Sequence, residues 1–531
     1  MNELLILTFI LFFIWLVRNI LFWTSLWQIK EYRWDRLSVH LKETEQGKNL
    51  LFSKLSILKW LALFVYGLVI FNDSLLLVFR LFVLFIYTLQ VLTIFIEWMK
   101  GSFRRPKITS KTFAIFLITL CFVAILFLVP LIDQGVWIIL LDRISTLFIA
   151  FIVFLLSYPT EFYHDILIEK AMKKIRKHKK LLIIGVTGSY GKSSTKEYIA
   201  QILSARFTVL KTEGSQNTPI GVAQTILKGL KKETEIFVVE MGAYKRGEIK
   251  EICEIVQPKI GVLTGISPQH ESLFGSLKNI MKAKYELIES LPKNGLALFN
   301  GNNKNVVELY NQTEGKKILY KSFTGQSLEK ADIKATHIKM YKTGLSFTVQ
   351  KGRNQLLLKA PLLGIHSIEN LLPGVFLAMH LGMKAETITT AVSNLSSLSI
   401  KRTKLSNGTV AIDSTFNASP QSVASALDYM KQYTGNKILV LPPMIELGKH
   451  ANLEHHKVGL KIGSVCNYLL LTNKNYYKDI TSGISEQKNK CKVAVGNPRI
   501  LATLIKKISQ KQDSIVAFLG KESRLVLLKL V

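Results

Sequence analysis

The sequence predicts a membrane domain of several helices followed by two α/β units. Three observations predict it. Apolar residues crowd into the first third of a 531-residue chain. A glycine-rich loop then follows a short apolar run and precedes a helical pattern. Through the last third, short apolar runs alternate with helical stretches, the pattern of a sheet with helices on its faces.

Five apolar stretches make up the first part: Leu4–Trp27, Leu55–Phe71, Leu75–Ile96, Phe113–Ile132 and Val136–Leu156. A helix needs about 20 apolar residues to cross the hydrocarbon core. The second stretch is short, and Lys54 and Lys59 would extend it by snorkelling. The first stretch has neither a basic leading segment nor a small-residue cleavage site, so it reads as a span rather than a signal peptide.

The loops alternate in charge. The first carries Lys30, Arg33, Arg36, Lys42 and Lys48, and the third carries Lys100, Arg104, Arg105, Lys107 and Lys111. Loops 72–74 and 133–135 carry no basic residue, and seven lysines and arginines follow between Lys170 and Lys180. By the positive-inside rule the N-terminus lies outside and everything after Leu156 lies in the cytoplasm, on a multi-pass protein of the cell membrane. Arg18, Arg80, Asp142 and Arg143 would be costly against lipid. They either pack inside the helix bundle or serve a lipid-linked substrate.

The formal net charge of +32 admits nucleic acid, anionic lipid or an anionic small substrate as partner. No nucleic-acid module is present, and basic residues beside spans account for much of the charge, so nucleic acid is set aside. The four cysteines, Cys121, Cys253, Cys466 and Cys491, show no metal-ligand spacing or disulfide framework, as suits a reducing cytosol. His450, His455 and His456 lie close together, but solvated helix histidines are a simpler reading than a metal cluster.

After a basic linker over residues 159–180, Leu181–Val186 reads as a buried parallel strand and Lys196–Leu203 as a helix. Between them stands Thr187-Gly188-Ser189-Tyr190-Gly191-Lys192-Ser193-Ser194-Thr195. Glycines let backbone N–H groups close on phosphate oxygens, a lysine reaches the β- and γ-phosphates, and a following hydroxyl holds Mg²⁺. Lys192 and Ser193 fill those places. Val186 occupies the position of the usual first glycine, so the loop departs from the common phosphate-loop pattern. Further on, 438–441, 468–471 and 514–518 read as strands.

The loop T-G-S-Y-G-K-S-S resembles that of the Mur ligase family, and other matches follow in order. They are Thr212 to Gly221 with Asn217, the E-x-G of Glu240 to Gly242, and the strand from Pro258 leading to His270. Next come the A-K-x-E of Ala283 to Glu286 and Gly364 to Asn370, then Arg402 and Asp413 to Pro420. The last is Met444 to Gly448 with the later His455. The final three are similar to the branch that adds D-alanyl-D-alanine to a muramoyl tripeptide.

The resemblance covers residues 181–531. It implies a central ATP-binding domain over 181–395 and a Rossmann-like C-terminal domain over 396–531, behind a five-helix membrane domain over 1–158. It implies an ATP-dependent amide ligase of peptidoglycan synthesis that activates a carboxylate as an acyl phosphate and joins it to an amine. The substrates would be ATP, a muramoyl peptide or related carboxylate, held by UDP or by lipid, and an amino-acid or dipeptide amine.

The resemblance also implies site residues. Thr187, Gly188, Ser189, Gly191, Lys192, Ser193, Ser194, Asn370, Arg402 and Asp413 would bind ATP. Ser193, Glu240 and His270 would hold Mg²⁺, joined by Lys284 once it is carbamylated. Lys192, Lys284, His270 and Glu240 would carry catalysis, and Asn217, Asn417, Pro420, Lys521 and Ser523 would meet the other substrates. Taken singly, a glutamate or histidine is as often an ordinary loop residue, and Lys284 alone reads as a solvated helix lysine; the ordered set raises them.

Four departures stand out: Ser414 for a second aspartate, Asn302 for an aspartate, Glu522 for a glycine, and Pro442-Pro443 ahead of Met444. Family members that use a UDP-sugar peptide carry a UDP-holding domain, and no room for it exists between Leu156 and Leu181. A membrane-bound ligase for another polymer, such as poly-glutamate, and a non-catalytic scaffold are the competing readings. The C-terminal motifs argue against the first, and Lys192, Glu240, His270 and Lys284 against the second.

Overall fold

The computed structural model describes residues 2–530 except 44–46, 48–49, 51–52, 100–102, 130–132, 215, 269–270, 324–330, 397–400, 406, 416–417, 445–449, 489 and 510–512. The chain divides into two compact units, Met1–Ile166 and Leu167–Val531.

The first unit is helical: α1 (Asn2–Ile29), α2 (Trp34–Glu43), α3 (Lys54–Val69), α4 (Asp73–Met99), α5 (Ser110–Phe127) and α6 (Gln134–Leu155), with the start of α7 (Ser157–Arg176). Polar caps begin several of them. The Ser53 hydroxyl accepts from the Ser56 N–H, Thr109 and Thr112 form a reciprocal box, and Asp133 accepts from the Gly135 N–H. Phe12, Leu16, Val83, Tyr87, Ile115, Ile139 and Ile149 join in one apolar core.

Among the described residues four helices, Glu3–Ile29, Ser74–Met99, Ser110–Phe127 and the one beginning at Gln134, are long and apolar enough to cross a membrane. The second expected stretch is helix α3, whose 16 residues span about 24 Å, short of a hydrocarbon core of about 30 Å. Lys59 does not snorkel to lengthen it. It is 1% exposed, and its ammonium lies 2.5 Å from Asp142 Oδ2 inside the bundle. The side chain of Lys54 lies outside the described residues. Arg18 and Arg80 are paired as well, with Glu97 and Asp133.

Most of the segment expected as a basic linker is helix α7. Its apolar residues Ile168, Ala171, Met172 and Ile175 recur at helical spacing among the lysines and pack into a core of the second unit. The lysines hid that face in the sequence.

The second unit holds two sheets. In the first, β1 (Leu182–Thr187), β2 (Val209–Lys211), β3 (Ile236–Glu240), β4 (Ile260–Leu263), β5 (Leu296–Asn300), β6 (Lys316–Ser322), β7 (Ile333–Tyr341), β8 (Gly344–Lys351) and β9 (Asn354–Ala360) take the order β2-β3-β1-β4-β5-β6-β7-β8-β9. Pairing is parallel up to β7 and antiparallel across the last two pairs. Apart from Thr187 and Glu240 at their carboxyl ends, strands β1, β3 and β4 are apolar, and all but Leu182 is buried, as a parallel sheet covered on both faces requires. The connecting helices are α8 (Lys192–Leu203), α9 (Pro219–Gly229), α10 (Glu248–Val256), α11 (Glu271–Phe274), α12 (Leu277–Glu289) and α13 (Lys304–Gln312), followed by α14 (His366–His380) and α15 (Ala385–Ser393).

The second sheet has six strands: β10 (Lys401–Lys404), β11 (Val410–Ser414), β12 (Lys437–Leu441), β13 (Tyr468–Leu471), β14 (Lys492–Val495) and β15 (Ile515–Leu519). Their order is β10-β11-β15-β12-β13-β14, with only β10 antiparallel to its neighbour. Helices α16 (Pro420–Met430), α17 (Ala451–Val465), α18 (Tyr477–Ser485), α19 (Pro498–Ile508) and α20 (Gly520–Leu527) cover it. The expected strands at 438–441, 468–471 and 514–518 each fall within one residue of an observed strand.

Candidate active site at the strand ends

Strand β1 lies between β3 and β4, third in the nine-strand order, and its carboxyl end opens where ligands of α/β folds bind. The loop leaving β1 makes its turn on two glycines. Gly188 has φ +152, and a Cβ there would lie 2.1 Å from Thr264 Oγ1. Gly191 has φ +80 and starts α8, and a Cβ there would lie 2.5 Å from Asn370 Oδ1. Asn370, from the first turns of α14, thus touches the loop and is 3.4 Å from Thr195 Oγ1.

The loop is pinned from the other side. The Ser189 N–H donates to Gly265 O at 2.6 Å, and the Thr264 hydroxyl donates to Tyr190 O at 2.5 Å. The Tyr190 hydroxyl accepts from Asn303 Nδ2 at 2.9 Å. Lys192 folds back to donate to Ser189 O at 3.1 Å. Burial lowers its pKa, and the Glu240 carboxylate opposes that. Ser193 and Ser194 stand half-buried on the first turn of α8.

Glu240 ends β3 beside Val186, the last residue but one of β1. Its side chain is buried. Oε1 accepts from Asn217 Nδ2 at 3.1 Å, whereas Oε2 has no hydrogen-bond partner among the described residues. Oε2 lies 3.4 Å from the ammonium of Lys196, which is wholly buried and donates to the carbonyls of Thr212 and Gly214 at 2.7 and 2.8 Å. Lys196 has no counterpart among the expected site residues. Its one sequence signal is its position four residues after Lys192, one turn along the same face of α8.

Lys284, on α12, is 4% exposed, not solvated. It donates to Ala243 O at 3.3 Å and sits 5.5 Å above the Phe274 ring. Burial, and then the charge of Lys192, bring its pKa down to about 7, against the pull of Glu248 and Glu286. Glu286 accepts from the N–H groups of Gly247 and Lys250, so the last residue of the A-K-x-E segment caps helix α10. His270, expected beside these groups, lies outside the described residues.

The remaining expected residues lie toward the second sheet. Arg402, on β10, is exposed and donates to Lys342 O at 3.3 Å. Asp413 closes an Asx turn, accepting from the N–H and hydroxyl of Thr415 at 3.0 and 2.7 Å. Among the described residues neither forms a hydrogen bond to the phosphate loop. Pro420 opens α16 behind the cap residue Ser419. Asn417 and residues 445–449 lie outside the described residues. At the start of α20, Ser523 is fully buried and donates to Gly520 O at 2.7 Å, while Lys521 is exposed. Glu522 accepts from Thr472 Oγ1 at 2.5 Å and Asn473 Nδ2 at 3.3 Å.

The expectation for His455 needs correcting. It is buried, not solvated: Nε2 accepts from the Met444 N–H at 3.1 Å, Nδ1 meets Ala451 O at 2.6 Å, and its ring stacks on Tyr476. Both ring nitrogens are thereby used, which holds Met444, in the loop after β12, in place. Asn302 likewise makes a closed pair with the backbone of Ser322, at 2.8 Å in each direction.

The profile of the Mur ligase middle domain matches residues 186–378. The UDP-N-acetylmuramoyl-tripeptide–D-alanyl-D-alanine ligase of Haemophilus influenzae is 30% identical over 350 residues, which are 64% of this chain and 74% of that protein. The enzyme of the same name from Escherichia coli is 28% identical over 335 residues, 61% of this chain and 73% of its own. In structure, MurF from Acinetobacter baumannii aligns with a TM-score of 0.62 at 23% identity, covering 69% of this chain and 80% of that one. MurF of Thermotoga maritima, solved in complex with ADP, aligns with a TM-score of 0.60 at 22% identity, covering 69% and 83%.

Proposed function

Because this chain belongs to the Mur ligase family, we propose that it is an ATP-dependent peptide ligase of cell-wall synthesis, joining D-alanyl-D-alanine to the terminal carboxylate of a muramoyl peptide. The observation that carries the site is Glu240: a buried carboxylate beside the phosphate loop whose Oε2 takes no hydrogen bond among the described residues and faces the Lys196 ammonium at 3.4 Å. A buried acceptor without a hydrogen bond is costly, and a metal cation beside the ammonium would complete it.

Glu240 and Ser193 are the residues we assign to Mg²⁺. Mg²⁺ is commonly held by one or two carboxylates together with substrate phosphates, and no group of three side-chain ligands occurs among the described residues. When bound, the ion would offset charge on the phosphates. Lys192 leaves Ser189 O and takes the phosphate oxygens, and the loop N–H groups hold the rest. The substrate carboxylate attacks the γ-phosphorus, the bond to the bridging oxygen breaks, and ADP leaves. The amine then attacks the acyl carbon, phosphate departs, and the amine loses a proton. Both steps develop negative charge around phosphate, which cations placed beforehand stabilise.

Lys284 is assigned a carbamate. Its neutral amine attacks the carbon of CO₂, an N–C bond forms, and a proton is released. The product is an anion where the ammonium stood, able to ligate or orient the metal. Asn370 stands on the adenine side of the loop. Arg402 and Asp413 close over the nucleotide from the C-terminal part, which requires Arg402 to release Lys342 O. His270 completes the metal side, and Asn217, Asn417, Pro420, Lys521 and Ser523 position the remaining substrates. Of these, Ser523 acts through Gly520 rather than by contact.

The acceptor is proposed to be lipid-linked or delivered at the membrane, with the catalytic unit on the cytoplasmic face. The apolar helices and the basic loops support this. The test compares the full chain on a lipid-linked muramoyl tripeptide with a chain starting at Leu167 on the soluble UDP-linked tripeptide. Equal efficiency would make the membrane unit a plain anchor. A start at Leu167 keeps Ala171 and Ile175, which are buried in the core.

A further inference from the structure

Lys196 lies on α8 one turn beyond Lys192, and its whole side chain is buried. An ammonium has three N–H groups to place. The carbonyls of Thr212 and Gly214, in the segment after β2, accept from it at 2.7 and 2.8 Å. The same Thr212 accepts the backbone N–H of Glu240 on its hydroxyl at 3.0 Å. The ammonium is therefore fixed against the residue it faces. It lies 3.4 Å from Glu240 Oε2 and 3.4 Å from Glu197 Oε1. Glu197 is also paired with Lys211 through its other oxygen. Glu240 is thus the carboxylate whose charge Lys196 matches.

The neighbouring charges do not undo that match. Lys192 interacts with Glu240 and also with Lys284. While Lys284 is an ammonium, cations outnumber Glu240 around the loop. Once Lys284 carries a carbamate, that anion faces Lys192, and Lys196 still matches Glu240. Glu248 and Glu286, the acids that act on Lys284, are held by backbone N–H groups at the start of α10. At Glu240 itself the described residues therefore present no excess negative charge. A hydrated divalent cation gains little at a carboxylate whose charge is already matched. Nucleotide phosphates bring the charge that is missing.

We propose that Lys196 is a positioning residue that keeps Glu240 charge-matched before nucleotide binds, so that Mg²⁺ is captured only together with the nucleotide phosphates. This rests on the assignment of Mg²⁺ to Glu240 and Ser193. It assigns to a residue outside the phosphate contacts control over when the metal enters.

The test uses the full chain in nanodiscs of zwitterionic lipid at fixed bicarbonate. Mn²⁺ is titrated with and without ADP, and electron paramagnetic resonance reads the bound ion. The parent is expected to hold Mn²⁺ with ADP and far more weakly without it. Lys196→Gln loses the charge and keeps an amide donor for the backbone carbonyls. It should tighten binding without ADP about tenfold or more and change it little with ADP. Lys196→Arg keeps the charge and should behave as the parent. A merely structural lysine predicts the opposite sign, because loosening Glu240 weakens metal binding in both conditions. Folded Lys196→Gln with unchanged or weaker nucleotide-free binding overturns the proposal, as does Lys196→Arg that tightens like the glutamine variant. Parent protein that binds Mn²⁺ equally well with and without ADP also overturns it, and this comparison decides where Lys196→Gln fails to fold. No bound Mn²⁺ even with ADP removes the metal assignment at Glu240 and the proposal with it. The predicted gain in Lys196→Gln supports the proposal whichever amine the protein joins.

Discussion

Asn217 donates its side-chain amide to Oε1 of Glu240 at 3.1 Å and leaves Oε2 of the same buried carboxylate without a hydrogen bond among the described residues. The amide fixes which way the carboxylate faces. Asn217→Ala is expected to raise the Mg²⁺ concentration needed for half-maximal turnover about 10- to 100-fold, with a smaller fall at saturating metal, as for other groups that orient a ligand. A metal titration of activity checks this. An unchanged Mg²⁺ requirement would show that Asn217 does not orient Glu240 for metal.

Lys192→Ala is expected to lower ATP turnover about 10²–10³-fold or more with the unfolding midpoint retained. Among the described residues Lys192 makes one side-chain hydrogen bond, to Ser189 O, so little of the fold rests on it. Near-normal turnover would remove Lys192 from the phosphate site.

Lys284 carries a pH prediction. Burial depresses its pKa from 10.5 to about 7, so the ammonium dominates below that value and the neutral amine above it. Carbamate formation needs the amine, so a ¹³C carbamate signal from protein held under ¹³CO₂ should grow as pH rises through about 7. An ordinary lysine would require pH above 10 for the same population. Lys284→Ala should lose both signal and activity, and acetate should restore part of the activity. Full activity of the alanine variant without bicarbonate or acetate would exclude the carbamate.

Lys196 carries a stability prediction. It is fully buried and satisfies two backbone carbonyls, with Glu240 and Glu197 each 3.4 Å away. Lys196→Met strands those groups and should cost about 3–5 kcal/mol, read as a lower unfolding midpoint. Adding Glu240→Gln should recover part of the loss. A single variant as stable as the parent would show that the buried cation is not holding this corner together.

The sequence made the phosphate loop and the sheet positions legible because both rest on local pattern: glycines at forced turns, and short apolar runs buried on two faces. It made Glu240 and Lys284 legible only by resemblance, since a glutamate or lysine carries no local mark of burial. Lys196 was missed for the same reason. Helix α7 was missed because the lysines of 170–180 masked Ile168, Ala171, Met172 and Ile175. Lys59 and His455 were misjudged because their partners, Asp142 and the Met444 backbone, are set by tertiary packing that no window of sequence contains.

The account rests on coupled chemistry at one site, and phosphate release by the full chain tests it most directly. With ATP and Mg²⁺, release should stay at background with D-alanyl-D-alanine alone. It should rise when a muramoyl tripeptide is also supplied, with one amide formed per phosphate and no rise in Lys192→Ala. Phosphate release indifferent to both substrates, or no release with any muramoyl acceptor presented by lipid or by UDP, would contradict the assignment as a peptide ligase.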